Sequence, residues 1–124
     1  MEEIESLVKS WVALHKAEHG SDDYQSNFWA FDSLIKLLFD DPNAGVDCII
    51  EILNYDSSIV ISENIAAGPL EDLLSFHGID AVEILEKKIE KSPRLSATLG
   101  GVWQNSISNE VWSKFETIRS KKKW

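Results

Sequence analysis

Cysteine is nearly absent from this chain: Cys48 is the only one among 124 residues. An intramolecular disulfide is therefore excluded, and with it the class of small disulfide-stapled domains. Cys48 sits in the apolar stretch Val46-Asp47-Cys48-Ile49-Ile50 and reads as a small packing residue. Long apolar runs are missing too, and none approaches the roughly 20 residues of a membrane span. The opening Met1-Glu2-Glu3 is acidic and carries no apolar leader core, so a soluble cytoplasmic protein is expected. There are only three prolines, Pro42, Pro69 and Pro93, and each stands where a helix is expected to begin. Basic residues are scarce in one half only. Residues 1–60 hold 3 Lys against 12 Asp and Glu, whereas residues 61–124 hold 9 of each sign, so the net charge of −9 resides in the first half. Such acidity disfavours nucleic-acid backbones and membranes, and a one-sided field favours a basic protein partner.

What is present is helical pattern. A hydrophobic content of 44% with 27% charged residues is ordinary for a globular chain, and the length fits one domain over 1–124. Ile4, Leu7, Val8, Trp11, Val12 and Leu14 share one helical face, and Gly20-Ser21-Asp22-Asp23 breaks the pattern. Phe28, Phe31, Leu34, Ile35, Leu38 and Phe39 mark a second helix, apolar around much of its girth and so expected at the centre. Asp41 caps a third, started by Pro42, with the stripe Val46, Ile49, Ile50 and Leu53. Residues 57–62 could form a short strand through β-branched Ile59, Val60 and Ile61, yet no second strand exists to pair with them, so a helix running into Ala67 is preferred. Pro69 restarts the chain through Leu70, Leu73, Leu74 and Phe76, with Gly78 as a left-handed stop. Asp80 is the expected cap of a helix carrying Ala81, Ile84, Leu85 and Ile89. Ser92-Pro93 repeats the cap-plus-proline device. Ser108 or Asn109 caps a last helix with Val111, Trp112, Phe115 and Ile118. Lys121, Lys122 and Lys123 suit its C-terminal dipole and are expected to fray, as is Trp124. The sum is an all-α compact bundle of about seven short helices, with antiparallel pairs stacked in solenoid fashion as one option.

Several residue groups could carry chemistry. His15-Lys16-Ala17-Glu18-His19 matches the letters of a zinc motif, but it lies at a helix end and lacks a third ligand, so no metal site is assigned. Both histidines read as surface residues whose charge the helix terminus favours. Gly100-Gly101 lacks the Lys-Ser/Thr of a phosphate loop and reads as a close helix contact; no cofactor is expected. Glu71, Asp72 and His77 suit the two ends of their helix. They also offer a polar pocket with Gln104 and Asn105 and an apolar wall at Trp103. An acid–base pair there requires residues 5–6 positions apart to face each other. Of the five tryptophans, Trp11 and Trp112 lie on apolar stripes, and Trp29 and Trp103 fall at irregular positions suited to half-exposed contacts. Asp47 and Glu51 stand one helical turn apart with no interleaved lysine, a repulsion that a binding role explains.

Ala66-Ala67-Gly68-Pro69-Leu70-Glu71-Asp72-Leu73-Leu74, His77-Gly78, Leu99-Gly100-Gly101-Val102-Trp103-Gln104-Asn105 and Val111-Trp112 resemble the signature of a family of small bacterial proteins of unknown function. With Asp40-Asp41-Pro42 that resemblance spans residues 28–119. It implies a compact helical domain and no established activity. In size, charge and helicity the chain is also similar to immunity proteins of bacterial toxin systems, such as those of contact-dependent inhibition. The expected function is therefore a non-enzymatic immunity protein that covers a basic toxin domain, a nuclease in its most concrete form. Asp40, Asp41, Asp47 and Glu51 would make contacts, Asp22 and Asp23 would steer, and Trp29 would anchor. The alternatives are a helical scaffold of a housekeeping pathway, working through Trp103, and a small hydrolase or metalloenzyme.

Overall fold

Apolar residues three and four apart make the first helix, α1 (Glu2–Lys16), which buries Leu7, Val8, Trp11, Val12 and Leu14. The structure, a computed structural model, describes residues 2–119; the lysines at 121–123 and Trp124 lie outside that range. The break at Gly20 is shorter than expected. Ser21 accepts the Tyr24 N–H at 3.1 Å and starts a helix, α2 (Asp22–Asn27), so Asp22 and Asp23 occupy a first turn. Phe28 alone joins α2 to α3 (Trp29–Asp40).

Apolar girth does not place α3 at the centre. It buries Ala30, Leu34 and Leu38, while Phe28, Phe31 and Phe39 remain 39%, 38% and 59% exposed. The hub is α4 (Pro42–Tyr55), which packs against α1, α3, α5, α6, α7 and α8. Asp41 Oδ1 accepts the Ala44 N–H at 3.2 Å and Pro42 fills the first turn, as the cap-plus-proline pattern implies. Its buried stripe uses Ile52 where Ile50 was expected; Ile50 is half-buried. Gly45 sets the approach of α3, because a Cβ there would stand 2.5 Å from Leu38 Cδ2 and 3.0 Å from Leu38 Cα. Cys48 is buried, and burial pushes its thiol up to about 12.

The β-branched segment forms α5 (Ile59–Ala67), with Ile61, Ile65 and Ala66 inside. Next come α6 (Pro69–His77) and α7 (Ile79–Ile89), joined through Gly78 at φ 56°, ψ −126°. That is not the left-handed helical stop expected but a region open essentially to glycine alone. Because Gly78 itself caps α7, Asp80 falls within the first turn and is not the cap. Ser92 Oγ accepts the Leu95 N–H at 3.2 Å to start α8 (Pro93–Thr98), and a 3-10 turn over Leu99–Gly101 follows, fully buried. Ser108 caps α9 (Asn109–Ile118), which buries Phe115; Trp112 is only half-buried. Consecutive helices do pair, but α1 also meets α5 and α4 meets α8, so the pairs close around one core where a solenoid would run in line.

His15 departs from the surface reading. Its ring stacks on Trp11 at 3.7 Å and its Nδ1–H donates to the Trp11 carbonyl at 2.8 Å. Burial lowers its pKa, so the folded state resists a proton that the unfolded chain accepts near pH 6.5. Stability is therefore expected to fall as pH drops below about 6.5. Asp56 adds a second loss further down, because Lys16 and Ser58 hold its carboxyl at about 2 against an ordinary 3.8. Urea midpoints at pH 7.5 and 5.5 measure the upper step, and His15→Phe should flatten it. A midpoint indifferent to pH in that window would contradict a half-buried imidazole that resists its proton.

Candidate functional site

The three lysines of the acidic half are all engaged locally. Lys9 faces Glu5 at 3.5 Å, Lys36 faces Asp40 at 2.6 Å, and Lys16 contacts Asp56. Asp47 is not left to repel Glu51 unattended, since Lys88 of α7 reaches it at 2.6 Å. Asp40, Asp41 and Asp47, expected as partner contacts, thus have intramolecular tasks. Exposed pairs of this kind are weak, so they dilute the local field without locking the side chains. Glu51 lies in a groove of about 700 Å³ between α1 and α4, with Ile4, Val8 and Tyr55 among its walls. Glu18, Asp22, Asp23 and Asp32, around α2 and the start of α3, have no ion pair among the described residues, and neither do Asp80, Glu83, Glu86 and Glu90 further along the chain.

The same segment exposes a run of rings. His19 meets Tyr24 at 4.5 Å, Tyr24 meets Phe28 at 5.8 Å, and Phe28 stacks on Phe31 at 5.4 Å. Trp29 is 44% exposed at the first position of α3. The spacing of Phe28, Phe31, Ile35 and Phe39 keeps them on one arc of α3. At the far end Phe39 meets Phe76 of α6 at 5.3 Å. The sequence marks Asp22, Asp23 and Trp29 as interface candidates, whereas it shows Phe28 and Phe31 only as part of a helix expected at the centre. The available signal was the width of the apolar girdle, which exceeds what one buried face needs.

The second constellation assembles in part. Glu71, Trp103 and Asn105 line an open cleft of about 440 Å³ together with Glu63, Ala67 and Gly101. Asn105 Nδ2 donates to Glu71 Oε1 at 2.5 Å. Gln104 is engaged elsewhere, donating to the Ile107 carbonyl at 3.0 Å and to Asn109 Oδ1 at 2.8 Å. His77 belongs to different surroundings: its Nε2–H donates to the Leu38 carbonyl at 2.8 Å, and its ring lies near Phe39 and Phe76. Asp72 is half-buried, and burial, then the charge of Glu71, pushes its pKa up. Neither Glu71 nor Asp72 bonds to His77, so these residues do not form an acid–base pair. His15 and His19 both line a pocket with Tyr24, Phe28 and Phe31. Among the described residues, no group of three or more His, Cys, Asp or Glu is placed to hold a metal ion.

Fold and surface together define an all-α domain with an acidic, aromatic face on α2–α3 and a tryptophan-walled cleft beside α5. No helix among the described residues is long and apolar enough to cross a membrane. The chain belongs to a family of unknown function, DUF6869, whose model matches residues 17–123. No curated protein and no solved structure matches it.

Proposed function

We propose that this protein is a protein-binding domain for a basic partner, and most concretely an immunity protein that covers the basic cleft of a bacterial toxin nuclease. One observation carries the reading: exposed, mutually stacked rings at Phe28 and Phe31 stand among four carboxylates without counterions. Rings give an interface its apolar anchors, and the unpaired carboxylates supply the steering field and select a basic surface. The contact set moves accordingly from Asp40, Asp41 and Asp47 to Glu18, Asp22, Asp23 and Asp32, with Trp29 retained. A net charge of −9 also opposes self-association through this face.

A tagged pull-down from the native organism, at low and moderate salt, tests the proposal. A stoichiometric basic toxin fragment should be captured and weaken as salt rises. The triple variant Asp22→Lys, Asp23→Lys, Asp32→Lys should slow association by about tenfold or more while leaving dissociation nearly unchanged. Capture indifferent to these reversals would refute the assignment. The 73% exposure of Trp103 favours a second reading, a housekeeping interaction module working through the cleft; its partners would include no toxin and would respond to Trp103 alone.

A further inference from the structure

Val102 and Ile107 are buried at the two ends of the loop that follows the 3-10 turn, and the chain between them turns Trp103 outward to 73% exposure. That loop is braced on three sides. Gln104 bonds back to Ile107 and Asn109, and Asn105, held at φ 42°, is tied to Glu71. Arg119 donates to the Gly100 and Val102 carbonyls at 3.2 and 3.3 Å. Trp103 is thus a large ring presented to solvent from a held backbone, the condition for binding with little ordering cost.

The ring faces a cleft of one electrostatic sign. Its charged lining is Glu63 and Glu71, and no Lys, Arg or His lines it. The Glu63 carboxylate has no hydrogen bond or ion pair among the described residues, and Glu71 spends one oxygen on the Asn105 amide. Neighbouring Asp72 has its pKa raised first by its own burial and second by the charge of Glu71. Ala67 and Gly101 are small and leave the space open. An indole face beside carboxylates, with no internal cation, is the chemistry that takes up ammonium and guanidinium groups.

We propose that the Trp103–Glu63–Glu71 cleft binds an organic cation, a guanidinium or alkylammonium head with its short alkyl stem. Gln104 and Asn105 position the loop. The cation is either a free small molecule or the arginine or lysine side chain of a protein. This site is separate from the α2–α3 face and stands whether or not that reading does.

NMR titration of the full chain provides the test, with N-acetyl-argininamide, agmatine and the neutral isostere N-acetyl-citrullinamide as probes. Saturable shifts should centre on the Trp103 indole and the Asn105 side-chain amide. The arginine probe should bind about tenfold or more tightly than the citrulline one. Glu71→Gln keeps an acceptor for Asn105 and removes the charge; it and Glu63→Gln should each weaken binding about 3- to 10-fold. Trp103→Ala, at an exposed position, should leave the fold intact and weaken binding about tenfold. Tighter agmatine binding assigns the site to a free cation, and tighter argininamide binding assigns it to a protein side chain; either sustains the proposal. Equal binding of citrullinamide, or shifts spread over the acidic half that Trp103→Ala leaves in place, would overturn it.

Discussion

Phe115→Ala is expected to lower stability by about 3–5 kcal/mol, the range for emptying a buried aromatic site. Phe115 has 0% exposure and is the only fully buried side chain of α9, so it is the principal peg of that helix against α7. Trp112 lies 5.2 Å from its ring and the Arg119 guanidinium 5.8 Å. The Arg119 side chain is itself only 7% exposed and pairs with Glu116 at 2.8 Å. Emptying the Phe115 site therefore also loosens the arginine that holds the Gly100 and Val102 carbonyls ahead of Trp103. A chain of this length has a total stability of about 5–15 kcal/mol, so the loss is a large fraction of it. Urea unfolding should show it directly, and hydrogen exchange should show amides of α9 and of the 102–108 loop losing protection together. Phe115→Leu, which refills most of the volume, should cost less than about 1.5 kcal/mol. If Phe115→Ala cost under about 1 kcal/mol, α9 would have to be held by something other than this peg.

Local chemistry was readable in the sequence and remote chemistry was not. Asp41-Pro42 and Ser92-Pro93 name their helix starts because cap, amide and proline lie within four residues. The helical choice for 59–67 followed from the lack of any strand to pair with it. The position of α3 could not be read the same way. Periodicity counts apolar side chains around a helix but does not say which arc another element will cover, and here Phe28, Phe31 and Phe39 were left outside. The partner of Asp47 lies 41 residues away and that of His77 lies 39 away, so neither Lys88 nor the Leu38 carbonyl was visible. In the cleft, Glu71, Trp103 and Asn105 were picked out, but Glu63 was missed because its helix, α5, reads in sequence chiefly by its apolar residues. Gln104, Asp72 and His77 were grouped with them by sequence proximity, which side-chain direction then overrode.

Substituting Phe31 or Trp29 with Ala is expected to weaken partner binding about 30-fold or more, almost wholly through faster dissociation. Burial of an aromatic anchor at an interface centre is worth about 2 kcal/mol or more, while a rim charge acts mainly on the encounter. Both classes of residue occur on α2–α3, so a single kinetic experiment separates them. With the partner immobilised, the Asp22, Asp23 and Asp32 reversals should move the association rate and its salt slope; Phe31→Ala and Trp29→Ala should move the dissociation rate. Stability controls the interpretation. Phe31 is 38% exposed and Trp29 is 44% exposed, so each substitution removes a ring that the core holds only in part. Each should cost well below the 3–5 kcal/mol expected at Phe115 and leave the circular dichroism spectrum unchanged. Unaltered dissociation in both variants would take the interface off α3. The groove between α1 and α4, where Glu51 and the 55% exposed Tyr55 meet, would then be the surface to mutate.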